Sequence, residues 1–157
     1  MVWSKLQKDI YKLLLIKDLK IQIQCNAYRS RSSRKSTGNE SCIPRYWITK
    51  EKEIIWDYPR NELAVKPRGK VYPKLFTHTG TVIGHLLREY IDTPIDNLLE
   101  KDFKEDVCGL TEILKACDRR IGKRKLPLLM LRLTNDQAIS IVQERLNSRE
   151  LIRLNNQ

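Results

Sequence analysis

The chain has 157 residues, of which 41% are apolar and 31% are charged, and its formal net charge at pH 7 is +11. This length and apolar content fit one domain with a real hydrophobic core. The longest apolar runs, such as residues 13–16 and 126–131, are far too short to cross a bilayer, so we expect no membrane-spanning segment.

The basic residues are unevenly distributed along the chain. Residues 1–90 hold 18 Lys/Arg against 8 Asp/Glu, whereas residues 91–157 hold 12 against 11. A basic excess favours an anionic partner, such as a nucleic acid, an acidic protein or a membrane surface, but it does not choose among them.

Four cysteines, Cys25, Cys42, Cys108 and Cys117, are spread along the chain without a Cys-x-x-Cys pair. The chain also shows no signal-peptide pattern, so we expect reduced thiols and a cytoplasmic location. The alternative, a Cys25–Cys42 disulfide across a hairpin, is disfavoured in that compartment.

The first 58 residues are predicted to form a helix and a sheet. Ser4 and Gln7 have capping-box spacing and precede an apolar stripe, which indicates a helix over residues 5–16. Three further stretches have the alternation or the β-branched and aromatic content of strands, namely residues 21–28, 43–49 and 54–57. We expect a three-stranded antiparallel meander with the helix on one face, anchored by Trp47 and Trp56.

Two polar segments separate these elements. Residues 29–40 contain no apolar residue and are predicted to form a long basic hairpin loop. Residues 59–75 contain three prolines and several basic residues. We interpret them as a connector, either ordered or flexible, to the second part of the chain.

Residues 76–157 are predicted to form about five helices, which makes the protein an α+β domain with two lobes. Thr93 and Pro94 are a typical pair for the N-cap and first position of a helix. Residues 126–133 are apolar enough to be buried. If they form a helix, Pro127 must lie in its first turn. A second capping box at residues 134–137 precedes the last helix.

The clearest amphipathic pattern begins at Val107. Apolar residues recur on one helical face from there to Ile121, and Gly122 is a natural stop. Arg119 and Arg120 are then expected in the last turn, where cations complement the helix dipole.

Asp118 is the exception in this pattern, because an anion is disfavoured at the negative end of a helix. We expect it to form a structural ion pair with Lys115 or with an arginine from elsewhere. The flanking basic residues suggest an anion-binding edge, which comprises Arg119, Arg120, Lys123, Arg124 and Lys125. The alternative is a solvated basic helix end that the Asp118 ion pair orients.

A second candidate for anion binding lies in the predicted loop. Arg31, Arg34 and Lys35 are interleaved with serines, and such a segment can wrap phosphate and become ordered on binding. It lacks the aromatic residues of a stacking platform, and a solvated, disordered loop is the alternative.

No catalytic motif stands out. Gly122 and Lys123 lack the upstream glycine of a phosphate-binding loop, because Cys117 occupies that position. His78 is expected in the turn before a helix that contains His85, and neither has ligand-pair spacing with a cysteine. We expect no metal and no cofactor, and we favour a protein that is not an enzyme.

A metal-dependent nuclease is the weakest alternative, with Asp57, Glu62 and Lys66 as its best available set. Glu62 and Lys66 are four residues apart in the connector, rather than one residue apart on a strand. Asp57 can instead terminate its strand, and Glu62 can pair with nearby arginines in solvent.

Three stretches carry a family resemblance: Met1-Val-Trp-Ser-Lys-Leu6, Tyr46-Trp-Ile-Thr49 and Asp118-Arg-Arg-Ile-Gly-Lys-Arg124. They resemble a family of uncharacterised small bacterial proteins that open with Met-x-Trp-Ser-Lys-Leu and carry Asp-Arg-Arg-(Val/Ile)-Gly-Lys-Arg in their helical half. The resemblance covers both ends of the domain. It implies no activity, and no functional residue is carried over from it.

These patterns predict a non-catalytic binding module for an anionic macromolecule, with nucleic acid as the first candidate. The alternative is a protein-interaction partner, such as an immunity-type protein of a bacterial toxin system. Its motivation is the lack of a catalytic set, together with an acidic stretch at residues 92–106 that is segregated from the basic ones.

Overall fold

The computed structural model describes residues 3–28, 43–58 and 72–148. They form an α+β fold, as predicted, with one antiparallel sheet of order β1-β2-β3. The helices are α1 (Trp3–Leu13), α2 (Tyr72–Asp92), α3 (Ile95–Leu98), α4 (Leu110–Cys117), α5 (Leu126–Met130) and α6 (Asp136–Asn147). The strands are β1 (Ile21–Tyr28), β2 (Ile43–Lys50) and β3 (Glu53–Tyr58).

The sheet is the meander that the sequence predicted. β1 pairs with β2 along its whole length, and β2 pairs with β3 around a bulge between Ile48 and Thr49. The turn between β2 and β3 has positive φ at both Glu51 (50°) and Lys52 (76°). Two consecutive positive φ angles are typical of a type I′ hairpin, whose twist matches that of the strands.

α1 buries Leu6 and Ile10 in the core and covers the free edge of β1. The Tyr11 hydroxyl accepts from the Ile23 amide (2.9 Å) and donates to the Ile23 carbonyl (3.1 Å). Gln7 Nε2 donates to the same carbonyl (2.7 Å). Because β1 is an edge strand, these side chains satisfy backbone groups that no neighbouring strand reaches.

The bounds of α1 differ from the prediction. The helix begins at Trp3, so Ser4 lies inside it and the predicted capping box is wrong. It ends at Leu13 rather than at residue 16, because Leu14 leaves the helix to pair with Asp118 in an isolated antiparallel bridge.

α2 is longer than predicted. It begins at Tyr72, so positions 72–75 of the predicted connector are helical, and His78 lies in the helix rather than in a turn before it. Pro73 is compatible with this start, because a proline in the first turn removes an amide that has no partner within the helix. Residues 59–71 lie outside the described residues.

Thr93 does not cap α3, contrary to the prediction. Its hydroxyl donates back to the carbonyl of Glu89 (2.6 Å) and accepts from Lys101 Nζ (3.0 Å). Pro94, in an extended conformation, occupies the N-cap position instead.

The capping of α6 also differs from the prediction. Asn135, not Thr134, caps this helix: its side-chain oxygen accepts the amides of Gln137 (3.0 Å) and Ala138 (3.1 Å). Thr134 cannot serve as the cap because its amide and hydroxyl donate to Glu112 on α4 (2.6 and 2.8 Å).

Trp56 is one of the side chains that join the sheet to the helical part. Trp56 is buried, and its indole nitrogen donates to the carbonyl of Val107 (3.1 Å). Trp47, also predicted as a core anchor, is only partly buried and lies under the guanidinium of Arg45, 4.9 Å from the ring centroid. In the described ranges, no helix is long and apolar enough to cross a membrane.

Candidate functional site

The candidate anion-binding segment begins where α4 ends. This helix spans Leu110–Cys117, so the prediction of a helix that continues to Ile121 is wrong. Asp118 has an extended backbone (φ −72°, ψ 123°). Arg119 and Arg120 therefore follow the helix instead of lying in its last turn.

The chain leaves α4 early because it pairs with the end of α1. The amide of Leu15 donates to the carbonyl of Cys117 (2.9 Å), and the amide of Arg119 donates to the carbonyl of Leu13 (2.8 Å). Arg119 Nη2 adds a bond to the carbonyl of Leu14 (3.0 Å). These bonds fix the start of the basic segment against residues more than one hundred positions earlier in the chain.

Asp118 is fully buried, and its carboxylate is the centre of a polar network. It accepts the Tyr90 hydroxyl (2.9 Å), the backbone amide of Arg120 (2.8 Å) and the Arg120 guanidinium at Nε (3.1 Å) and Nη2 (2.8 Å). Arg120 Nη1 donates to the carbonyl of Thr93 (3.0 Å). The ion-pair partner of Asp118 is thus the arginine two residues later, whereas Lys115 donates to the Lys101 carbonyl (3.1 Å).

The two side chains that donate to Asp118, Tyr90 and Arg120, both have raised pKa values. Burial, with the nearby Asp118 carboxylate, raises the pKa of Tyr90 well above its ordinary value. The hydrogen bonds to Asp118 raise the pKa of Arg120. Both groups remain protonated near neutral pH, so the network is suited to fixing the turn and not to proton transfer.

A second arginine holds the same turn from α6. Arg145 is 9% exposed, and its Nη1 and Nη2 donate to the carbonyls of Ala116 and Ile121 (both 2.7 Å). In the described part of the chain it forms no ion pair with a carboxylate. No local pattern in the sequence distinguishes Arg145, because a basic residue near the end of a helix is ordinarily solvated.

The five predicted anion-binding residues thus separate into two kinds. The Arg120 guanidinium donates hydrogen bonds to Asp118 and to the Thr93 carbonyl, so this residue stabilises the fold. The other four remain at least partly exposed: Arg119, Lys123, Arg124 and Lys125. Arg31, Arg34 and Lys35 lie outside the described residues.

One leucine in the helix that follows these cations, and one just after it, are exposed. α5 is five residues long and begins with Pro127 in its first turn, as predicted. Leu126 and Leu129 are buried, but Leu128 is 58% exposed and Leu131 is 85% exposed. The prediction that residues 126–133 are buried is therefore wrong for these two positions. We call Arg124, Lys125, Leu128 and Leu131 the α5 surface.

The residues proposed for a nuclease do not form a catalytic set in the described ranges. Asp57 is buried and pairs with Arg45 through two bonds (2.6 and 2.9 Å). Glu62 and Lys66 lie outside the described residues. Where the structure is described, no three His, Cys, Asp or Glu side chains are grouped so that they could hold a metal ion.

The described part of the chain contains three of the four cysteines. Cys25, Cys108 and Cys117 are not in disulfides, and Cys42 lies outside the described residues. Cys117 is fully buried, and burial raises the pKa of its thiol to about 12. A buried thiol with a raised pKa is a poor nucleophile, because the thiolate is the reactive form.

A family model matches the helical part of the chain. The model of the SF0329 protein family matches residues 70–149, just over half of the chain, so the protein belongs to that family. The matched region contains α2 to α6 and the whole segment around Asp118. No curated protein and no solved structure matches the chain.

Proposed function

We propose that this member of the SF0329 protein family is a non-catalytic binding module for an anionic macromolecule, and that the macromolecule is an acidic protein. The observation that carries the proposal is the α5 surface, where two cations precede two exposed leucines within eight residues of the chain. Arg124 and Lys125 form no ion pair in the described part of the chain.

The leucines favour a protein over a nucleic acid. An isolated exposed leucine is ordinary, but Leu131 is the C-cap of α5 with a helical backbone and lies three residues after Leu128, so the two side chains lie on one side. Protein interfaces combine an apolar centre with a polar rim. Affinity for nucleic acid comes mainly from phosphate contacts, to which leucine contributes nothing.

The cations indicate the charge of the partner. Lys125 is the N-cap of α5 and Arg124 precedes it, so both cations lie at the N-terminal end of the helix that carries Leu128. A partner with acidic residues around an apolar contact would complement this arrangement and would associate faster at low salt. An immunity-type protein, which binds a toxin in a stoichiometric complex, is one role that this proposal covers.

Site-specific photo-crosslinking tests the proposal in cells that encode the protein. A photoreactive phenylalanine at Leu131 should form a covalent adduct with one acidic protein. The matched control carries the same group at Ile54, which is 48% exposed on β3. An equal adduct from both positions, or an adduct only with nucleic acid, would refute the proposal.

Nucleic acid is the second candidate, and the sequence supplies its support. Residues 29–42 hold four Lys/Arg against one acidic residue, and residues 59–71 hold the same numbers. Fluorescence anisotropy with DNA and RNA across a salt series tests it. If Arg119, Lys123, Arg124 and Lys125 contact phosphates, replacing all four by alanine should reduce the log–log salt slope by roughly 3 to 4 units.

A further inference from the structure

The sheet has a buried inner face and a more exposed outer face. The inner face includes Ile23, which is buried in the core. Because side chains alternate along a strand, the cross-strand pairs on either side of it, Gln22 with Thr49 and Gln24 with Trp47, lie on the outer face. Gln22 is exposed and the other three are partly exposed. Two amides, a hydroxyl and an aromatic ring therefore share the outer face.

A groove at one end of the outer face carries positive charge. Gln22 and Thr49 belong to its lining, so the groove is continuous with the outer face. Its volume is about 640 Å³, and its lining includes Lys17, Lys20 and Lys52. These lysines come from the loop after α1 and from the turn between β2 and β3, so the fold brings together cations that are distant in the chain.

The charges of this groove favour an anion. Among the described residues of its lining, Glu51 is the one acid, and Lys20 Nζ lies 3.1 Å from its carboxylate. Lys17 and Lys52 are exposed and form no ion pair in the described ranges. Two lysines are thus in excess. Exposed lysines suit the phosphates of a nucleic acid, because this binding is driven by the release of counterions and needs no enclosed pocket.

Trp47 provides an aromatic ring next to this groove. The guanidinium of Arg45 lies 4.9 Å from the ring centroid, and Asp57 holds that guanidinium through two bonds (2.6 and 2.9 Å). The ring is therefore held in place while part of it stays exposed. Thr49, at the groove, is two residues further along β2, which corresponds to about 7 Å. A phosphate in the groove would thus leave a neighbouring base within reach of the ring.

We infer that the outer face of the sheet binds single-stranded nucleic acid, with phosphates at Lys17 and Lys52 and a base stacked on Trp47. Stacking on a side chain requires an unpaired base. Gln24 Nε2 donates to Gln22 Oε1 (2.9 Å), which leaves the amino group of Gln22 and the oxygen of Gln24 for the edge of a base. The site shares no residue with the α5 surface, so the inference does not rest on the acidic-protein proposal.

Fluorescence anisotropy of the full chain with a labelled thymidine oligonucleotide, a uridine oligonucleotide and a DNA duplex tests the inference. We expect at least one of the single strands to bind more tightly than the duplex. Lys17→Ala/Lys52→Ala should weaken binding and reduce the log–log salt slope by roughly 1 to 1.5 units, as expected for two phosphate contacts on a single strand. Arg124→Ala/Lys125→Ala is the matched control, because it removes two cations from the α5 surface, and its slope should equal that of the wild type.

The stacked base is tested at Trp47. Trp47→Leu removes the aromatic ring and should weaken binding of the single strand about fivefold to 150-fold, the range expected for one stacked base. Trp47→Phe keeps a ring and should bind nearly as tightly as the wild type. A bound oligonucleotide should quench tryptophan emission in the wild type and not in Trp47→Phe, which gives a result even if Trp47→Leu does not fold.

Three results would overturn the inference. A duplex that binds as tightly as both single strands would exclude stacking of an unpaired base. Equal salt slopes in Lys17→Ala/Lys52→Ala and the control would place the phosphates elsewhere. Quenching that persists in Trp47→Phe would show that the base does not contact Trp47. None of these results bears on the acidic-protein proposal, which is tested by the adduct at Leu131.

Discussion

Asp118 and Arg120 form an ion pair across a single intervening residue, with Nη2 of Arg120 2.8 Å from Oδ2 of the fully buried carboxylate. The same carboxylate accepts the Arg120 backbone amide, so one residue closes the turn with both its backbone and its side chain. This pair fixes the path of the chain between α4 and α5, and thus the place from which the neighbouring cations and leucines project.

Asp118→Asn should destabilise the fold by about 3–5 kcal/mol, because it leaves a half-buried arginine without its counter-ion. Urea denaturation measures the free energy of unfolding. Asp96→Asn is the control, since Asp96 is exposed and makes no ion pair in the described part of the chain. Its effect should stay within about 0.5 kcal/mol. Equal effects of the two substitutions would show that Asp118 does not hold the turn.

Tyr90→Phe should destabilise the protein by about 1–3 kcal/mol, because the buried carboxylate of Asp118 loses one of its donors. The same substitution in the Asp118→Asn background should cost less, since the hydroxyl acts through that carboxylate. A double-mutant cycle in urea measures this coupling. Additive effects would mean that the Tyr90–Asp118 bond contributes nothing of its own.

Glu112 should contribute a pH-dependent part of the stability. Burial alone would raise the pKa of Glu112, but bonds from the backbone amides of Asn135 and Thr134 bring that pKa below its ordinary value. A lowered folded-state pKa stabilises the protein above the unfolded-state pKa, and this contribution is lost as the pH falls through the folded-state value. The stability difference between the wild type and Glu112→Gln should therefore be present at pH 7 and shrink below about pH 5. A difference that is constant from pH 7 to pH 3 would contradict this assignment.

Substitution of the buried leucine in α5 should lower the free energy of unfolding, whereas substitution of the exposed leucine after it should not. Leu129→Ala removes a buried side chain and should cost about 2–5 kcal/mol. Leu131→Ala removes an 85% exposed one and should change the free energy of unfolding by less than about 0.5 kcal/mol. Chemical denaturation of both variants checks the contrast. A large loss in Leu131→Ala would mean that this side chain is part of the core.

Local patterns were sufficient to predict the sheet and most of the helices. The alternation over residues 21–28 predicted β1 because its period of two is unambiguous, and Pro127 placed the start of α5 because proline is restricted to the first turn. The α+β fold followed from the order of these elements.

Contacts between distant residues account for what the sequence did not reveal. Leu14 ends α1 because it pairs with Asp118, and Thr134 loses its capping role because Glu112 binds it. The apolar periodicity from Val107 to Ile121 predicted a longer helix than α4. The apolar spacing continues beyond Cys117, but there the backbone hydrogen-bonds to the residues after α1 and is not helical. Arg145 was missed for the same reason: its carbonyl partners belong to another element.

Native mass spectrometry of the complex purified from cells that encode the protein tests the central claim most directly. We predict a stoichiometric complex with one acidic protein, lost on Leu128→Asp/Leu131→Asp and retained on Ile54→Asp, which places the same charge at an exposed apolar site outside the α5 surface. The protein should unfold at the same urea concentration in all three forms. A complex that survives the double substitution, or that contains nucleic acid instead of an acidic protein, would contradict the account.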